Sequence, residues 1–306
     1  MITKDVLDQL YTPIYDKFLL QTFKEEEQIN TKVFDSIDDK TKEFKFDGVS
    51  GLGEWVDADE GASGGYEDPV LGYAKTLTQA KRWKKLSISF EAVDQEEYAL
   101  LGKLKDASAM GRGARMNVEK KTASILSDGF ETAGADSVYL WYDSHPKNRE
   151  ETGTVYDNLL SGAFSHDNLE LAETQISNNF FDPKGIPVST SERPLLLYPP
   201  ALRGAVARVF SDRAKEQPDT TLRNINRFAG MYEPVEWRYL SSKLGGSDTA
   251  WFIIYPELKL LAIVWSAKPH FTSWIDHEDE FYNFKGRMLY DCGAFDWRCG
   301  FASTGV

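Results

Sequence analysis

Cysteine is scarce in this sequence: Cys292 and Cys299 are the only two, and the six residues between them fit neither a redox pair nor a zinc knuckle. No disulfide framework is available, so both are read as reduced, dispensable thiols of a reducing compartment. Long apolar runs are missing too. Nowhere do 18 apolar residues follow one another, and Met1-Ile2-Thr3-Lys4-Asp5-Val6-Leu7-Asp8 carries acids where a secretory leader needs an apolar stretch, so a soluble protein at work in a cytoplasm is expected. Positive charge is in short supply: 35 Lys and Arg stand against 48 Asp and Glu, a formal net charge of −13. Phosphate affinity comes largely from basic side chains displacing condensed counterions, so a sequence-reading DNA-binding protein is excluded.

Apolar substance is present in quantity. Hydrophobic residues make up 42% of the 306, with 8 Trp, 14 Tyr and 18 Phe, enough for one large or about two ordinary domains and for aromatic-rich interfaces. Residues 1–43 hold scattered apolar positions and the acidic run Glu25-Glu26-Glu27, which reads as an arm. From Phe44 to about residue 92, Glu54-Trp55-Val56 and Tyr73-Ala74-Lys75-Thr76-Leu77 flank Gly61-Ala62-Ser63-Gly64-Gly65, which predicts a long hairpin with a flexible tip. Its second arm continues into the alternating run Leu86-Ser87-Ile88-Ser89-Phe90. At Val93 the period changes: Asp94 and Glu97 form a capping box, and Val93 and Tyr98 a hydrophobic staple. Tyr98, Leu101, Leu104, Ala107, Ala114, Val118 and Ile125 then share a helical face to about Glu131, a rod of roughly 55 Å that Gly111 and Gly113 should bend.

Beyond the rod, Val138–Tyr142 reads as a short strand, a helix starts near Ser165, Leu195–Tyr198 reads as a buried strand stopped by Pro199-Pro200, and a helix covers 201–210. Strands are expected at 235–240, 251–255 and 260–264 and again from Phe281, which gives an α+β protein.

The fragments Ser144-His145-Pro146, Gly153-Thr154, Asp157-Asn158-Leu159-Leu160 and Leu169-Glu170-x-Ala172 come in a telling order with Asp182-Pro183-x-Gly185-x-Pro187, Leu195-Leu196-Leu197-x-Pro199-Pro200-x-Leu202, Asn226 before Gly230, and Asp296-Trp297-Arg298. Over about residues 44–306 the chain thereby resembles tailed-phage major capsid proteins with the Hong Kong 97 fold, and among them the Mu-like major head subunit family. That resemblance implies an arm (1–43), an extended loop (44–92), a peripheral domain on a spine helix (93–155 and 264–306) and an axial domain (156–263). It also implies hexameric and pentameric capsomers of the chain itself, in an icosahedral virion head built in the bacterial cytoplasm around double-stranded DNA. Portal, scaffolding and decoration proteins are its implied partners. Scaffolding is expected as a separate protein, and no motif supports lattice crosslinks.

No cofactor, metal or catalytic residue is assigned. Asp143, Ser144 and His145 are too close in sequence to converge as a triad. His270, Asp276, His277 and Asp279 read as surface polar residues rather than metal ligands, and the glycine-rich centre lacks the lysine of a phosphate loop. For assembly, Phe44, Trp55, Tyr66, Tyr73 and Trp83 are candidate anchors on a neighbour, and Lys81-Arg82-Trp83-Lys84-Lys85 is expected to meet Asp57, Asp59, Glu60, Glu67 or Asp68 of a neighbouring copy. An encapsulin-like compartment and a glycosidase using Trp237, Trp251 and Trp265 are the alternative functions.

Overall fold

The computed structural model describes residues 28–49, 57, 66, 68–89, 99–148, 153, 155–188, 193–210, 228 and 230–306. The arm before residue 28, the hairpin tip and the capping box at 93–98 lie outside them.

A one-turn helix α1 (Asn30–Val33) leads into strands β1 (Asp35–Asp38), β2 (Glu43–Val49), β3 (Leu71–Thr78) and β4 (Ala80–Ser89), then helix α2 (Ala99–Ser127). Short strands β5 (His145–Pro146), β6 (Val155–Tyr156) and β7 (Leu159–Leu160) precede α3 (His166–Asn179), β8 (Leu195–Tyr198) and α4 (Arg203–Val209). The chain closes with β9 (Glu233–Glu236), β10 (Trp251–Ile254), β11 (Leu261–Asp276), β12 (Phe281–Ala294) and β13 (Gly300–Ser303).

Two sheets dominate. One has the order β1-β11-β12-β4, the other β7-β13-β10-β8-β9. In the second, β8 and β10 carry Leu195-Leu196-Leu197-Tyr198 and Trp251-Phe252-Ile253-Ile254, every residue of them buried. Apolar side chains on successive positions require cover on both sheet faces, which is why these strands sit centrally. On one side of the core, α3 supplies Leu169, Ala172 and Ile176, and the Ser165 hydroxyl caps it by accepting from the Asn168 N–H at 3.2 Å.

Helix α2 runs unbroken through Gly111 and Gly113. Met110, Arg115, Val118, Glu119, Thr122, Ala123 and Leu126 are buried along it, a stripe at three- and four-residue spacing that packs on β12. The helix ends close to the expected place, passing into a 3-10 turn at Asp128–Phe130.

The structure departs from the sequence reading in four places. Residues 138–142 form no strand: Tyr139 only bridges Ala133, because the chain turns at Ser137 (φ 71°) and the Trp141 N–H reaches back to the Gly129 carbonyl. The segment expected as strand 235–240 is β9 followed by a 3-10 turn at Arg238–Leu240. Strand β11 runs to Asp276, well past 264, with register shifts between Trp265 and His270 where Pro269 can donate no ladder hydrogen bond. Finally, β3 pairs with β2, but its continuation β4 leaves that hairpin and pairs with β12 from Tyr290↔Ala80 to Phe281↔Ser89.

The last strand joins the two halves. Gly300–Ser303 pairs with β10 and β7 in the five-stranded sheet, although β12 just before it belongs to the four-stranded one.

Candidate assembly surfaces

The β2–β3 pair stands on a small apolar cluster of its own: Leu77, Ala262, Val264 and Phe295, with Ile37, Phe44 and Phe46 against them. Phe46 stacks on Phe295 at 4.3 Å between ring centroids and Phe44 lies 5.9 Å from the same ring. Phe44 is thus half-buried against its own subunit; the alternation of β2 places it and Phe46 on one face. Tyr73 is half-buried. Trp55, Asp59, Glu60 and Glu67 lie outside the described residues, whereas Asp57, Tyr66 and Asp68 are exposed, and the Asp68 carbonyl accepts from Lys184 Nζ at 3.1 Å.

Strand β4 splits the basic cluster in two. Arg82 turns toward α2: its guanidinium lies 4.0 Å over the Tyr290 ring and donates to the Tyr290 carbonyl at 2.5 Å. Lys84 shares that side, where Met110, Gly113, Ala114, Phe271 and Met288 line a groove of about 170 Å³. Lys81, Trp83 and Lys85 occupy the alternate positions on the outer face, with Trp83 60% exposed. Register then brings in residues that sequence reading missed. Arg287 stands beside Trp83 and beside His270, and Lys285 beside Lys85 and Thr272. Lys285 lies 5.5 Å over the Trp83 ring, and Lys85 lies 5.3 Å over Trp274. These pairings required the β4–β12–β11 register, which no local pattern supplies.

The described residues also hold a buried polar junction. The Asn158 side chain is fully enclosed; its Oδ1 accepts from the Tyr142 N–H at 2.9 Å and from His145 Nε2 at 3.0 Å, and its Nδ2 donates to the Leu140 carbonyl at 2.9 Å and the Trp297 carbonyl at 3.1 Å. These partners fix which end of the amide is oxygen, so His145 Nε2 must carry a hydrogen. His145 Nδ1 meets Asp136 Oδ2 at 2.6 Å, and its ring stacks on Trp297 at 4.7 Å. Asp296 and Arg298 form a two-pronged pair, and Arg298 also donates to the carbonyls of Phe181 and Lys147. The fragments 144–146, 157–160, 181–187 and 296–298 therefore meet in one knot. The Asp143–Ser144–His145 sequence is no hydrolase triad: Ser144 contacts Asp143 at 3.0 Å while His145 is buried with other partners.

A second junction centres on Glu119 of α2, 5% exposed. Its carboxylate accepts from Trp237 Nε1 at 2.8 Å and from the Asn30 N–H at 3.4 Å, tying the root of the N-terminal segment and the β9 region to the long helix. Burial pushes its carboxyl above the usual carboxylate range, against the opposing pull of these donors and of Arg115. Trp237, Trp251 and Trp265 are buried at 1%, 0% and 8%, so they cannot stack on a sugar, and the glycosidase alternative falls with them. Cys292 and Cys299 are both buried free thiols, and burial pushes the Cys292 thiol up to about 12. Among the described residues no group of three or more His, Cys, Asp or Glu is placed to hold a metal.

The family model for phage capsid proteins matches residues 73–303. No curated protein matches the chain in sequence. Among solved structures, the capsid of cyanophage P-SCSP1u is similar with TM-score 0.62 and 10% identity, covering 91% of this chain and 88% of that one. The mature capsid of bacteriophage PhiM1 gives TM-score 0.56 at 13% identity, with coverages of 89% and 85%. A virus-like particle from Pyrococcus furiosus gives 0.54 at 11%, with 96% and 99%.

Proposed function

The chain belongs to the phage capsid protein family, and from that premise we propose that its copies pack as hexamers and pentamers into the icosahedral head wall around phage double-stranded DNA. It is a capsid structural protein with the Hong Kong 97-type fold, not an enzyme. The observation that carries the proposal is the family match over residues 73–303, which takes in the five-stranded sheet, three strands of the four-stranded one and the long helix. The order of motif fragments from Ser144 to Arg298 supports a place near the Mu-like head subunits. The encapsulin-like alternative is less favoured, since the family match is to phage capsid proteins.

On this reading the loop 44–92 reaches a neighbour, the spine-helix region 93–155 with 264–306 forms the peripheral part, and 156–263 the axial part, the strand at 300–303 linking the two. Closed shells need heterologous contacts whose rotation closes, and a chain with projecting segments buries area that a compact body cannot. Scaffolding, portal and decoration proteins are the expected partners, and the host cytoplasm the place of assembly. The net charge of −13 suits a wall from which DNA must slide free, so the lumen-facing residues are acidic or neutral on balance. Electron microscopy and light scattering of the expressed protein, with scaffold where required, test the reading: closed megadalton shells are expected, and a stable monomer under every assembly condition overturns it.

A further inference from the structure

Glycine inside a helix weakens it relative to alanine, because the bare backbone gives up more freedom on folding. Gly113 stands in the interior of α2, and nothing among the described residues requires it. The helix runs through it without a break, and a side-chain carbon placed there would meet no atom within 4 Å. Gly286 on β12 is different: a carbon there would fall 2.8 Å from the Phe271 ring, so its own subunit demands that glycine.

The effect of Gly113 is to keep a groove open. Met110, Ala114, Phe271 and Met288 give this groove of about 170 Å³ its apolar walls, and Arg82, Lys84 and Asn117 give it a polar rim. Pockets for whole small molecules begin near ~300 Å³, so the space suits one or two side chains. Lys84 is exposed and makes no ion pair among the described residues. A narrow apolar slot under a cationic rim fits an apolar side chain that stands among acids.

Helix α3 carries such a side chain. Its buried side is Leu169, Ala172 and Ile176, and on its outer side Leu171 is 52% exposed. Asp167 and Thr174 lie four and three residues from Leu171, the spacing of neighbours on a helix surface, and Glu170 stands next to it; all three are exposed. The helix holds three acids and no lysine or arginine. The exposed Trp83 and Trp274 have lysines over their rings instead, which the cations of the groove would repel.

We infer that Leu171 of one copy seats in the Gly113 groove of a second copy, with Asp167 and Glu170 set against Lys84 and Arg82. The inference rests on the shell reading and deepens it, naming a contact between the bodies of two copies that uses neither the loop nor the arm. Knob and groove sit at different places on the chain, so the contact is heterologous and repeats from copy to copy until a ring closes. Each exposed ion pair is weak alone, and the opposite signs serve to select which faces meet.

The test uses the full chain. Particles are assembled from an equal mixture of ordinary and ¹⁵N-labelled protein and treated with a carbodiimide, which joins carboxylates directly to touching lysine amines. Mass spectrometry is expected to find Asp167 or Glu170 linked to Lys84 in mixed-isotope pairs, which join different chains. Gly113→Leu fills the groove from its own helix; it should leave the urea midpoint of the unassembled subunit equal or higher and yet lose closed particles. Gly113→Ala, which leaves most of the space, should still close. Leu171→Asp, a change at an exposed position, should also keep its midpoint and lose closed particles, and it decides the matter should Gly113→Leu fold poorly. Normal particles from Leu171→Asp, or from a well-folded Gly113→Leu, overturn the inference and leave the shell reading standing. So do Lys84 links that are absent, confined to one chain, or made to another segment such as residues 1–27. No particles from the unaltered chain overturn both.

Discussion

Replacing Asn158 by leucine keeps the outline of the side chain and removes every polar atom from the knot. Four groups then lose their partner together: the half-buried Tyr142 N–H, and the buried His145 Nε2–H and carbonyls of Leu140 and Trp297. A buried polar group left unsatisfied costs about 1–3 kcal/mol, so the low end of that range for all four already puts the loss near 4 kcal/mol. Domains of ordinary stability have about 5–15 kcal/mol in hand. At an m-value of about 4 kcal/mol/M the urea midpoint should fall by about 1 M or more. Equilibrium unfolding of the unassembled subunit, followed by tryptophan fluorescence, measures this directly, since Trp297 lies against His145. Asn168→Ala, which removes a single side-chain donor to the Ala163 carbonyl near the surface, serves as the control and should cost under about 1 kcal/mol. An Asn158→Leu protein within about 1 kcal/mol of the unaltered one would refute the hydrogen-bond argument for the knot.

Three further outcomes are expected. Because burial raises the Cys292 thiol from an ordinary value near 9 to about 12, the stability its neutral form contributes is complete below pH 9 and is lost as pH climbs toward 12; Cys292→Ser should show a shallower alkaline decline in urea midpoint, and an identical slope would count against the buried thiol. Glu119→Ala strands the Asn30 N–H and the Trp237 indole N–H and should cost about 2–4 kcal/mol, read by the same titration, while Glu119→Gln, which keeps one acceptor oxygen, should cost less. Deleting Glu54 to Leu71 should leave the subunit's circular dichroism and cooperative unfolding intact and abolish closed particles; normal particles in electron micrographs would remove the loop from assembly.

Sequence alone carried the elements whose cause is local. The existence and end of α2 follow from apolar residues at helical spacing, but of the expected face Val118 alone is seen fully buried, Ala114 and Ile125 being half-buried, while the buried stripe also takes in Arg115, Glu119 and Thr122; β8 follows from four successive apolar residues stopped by Pro199-Pro200, and the α3 start from Ser165. What it could not show was convergence. His145, Asn158 and Arg298 meet through hydrogen bonds spanning up to 151 residues of sequence, and no short-range period records them. The real length of β11 was hidden by Pro269 and by an outward row of polar residues that reads as loop. Among the assembly residues the division of Lys81 to Lys85 was in principle legible, because a strand's side chains alternate. The partnership with Lys285 and Arg287 was not, because it is set by pairing across some 200 positions.

The two sheets share more than a core. Strand β10 pairs antiparallel with β13 and β11 with β12, and between the two ladders the Phe295 N–H donates to the Leu260 carbonyl and the Tyr255 N–H to the Cys299 carbonyl. Residues 251–303 are therefore one double-stranded ribbon bent at a waist of two short segments, 255–260 and 295–299. A wall filled with DNA is a pressure vessel, and its tension must pass through each subunit from one edge to the other. A pull that separates the sheets runs along this ribbon, so it loads the hydrogen bonds of a ladder in shear, many at once, instead of peeling them open one by one. The same waist bends far more readily than it stretches. Such a subunit can follow a change of wall curvature while holding its length, as a strap does over a drum.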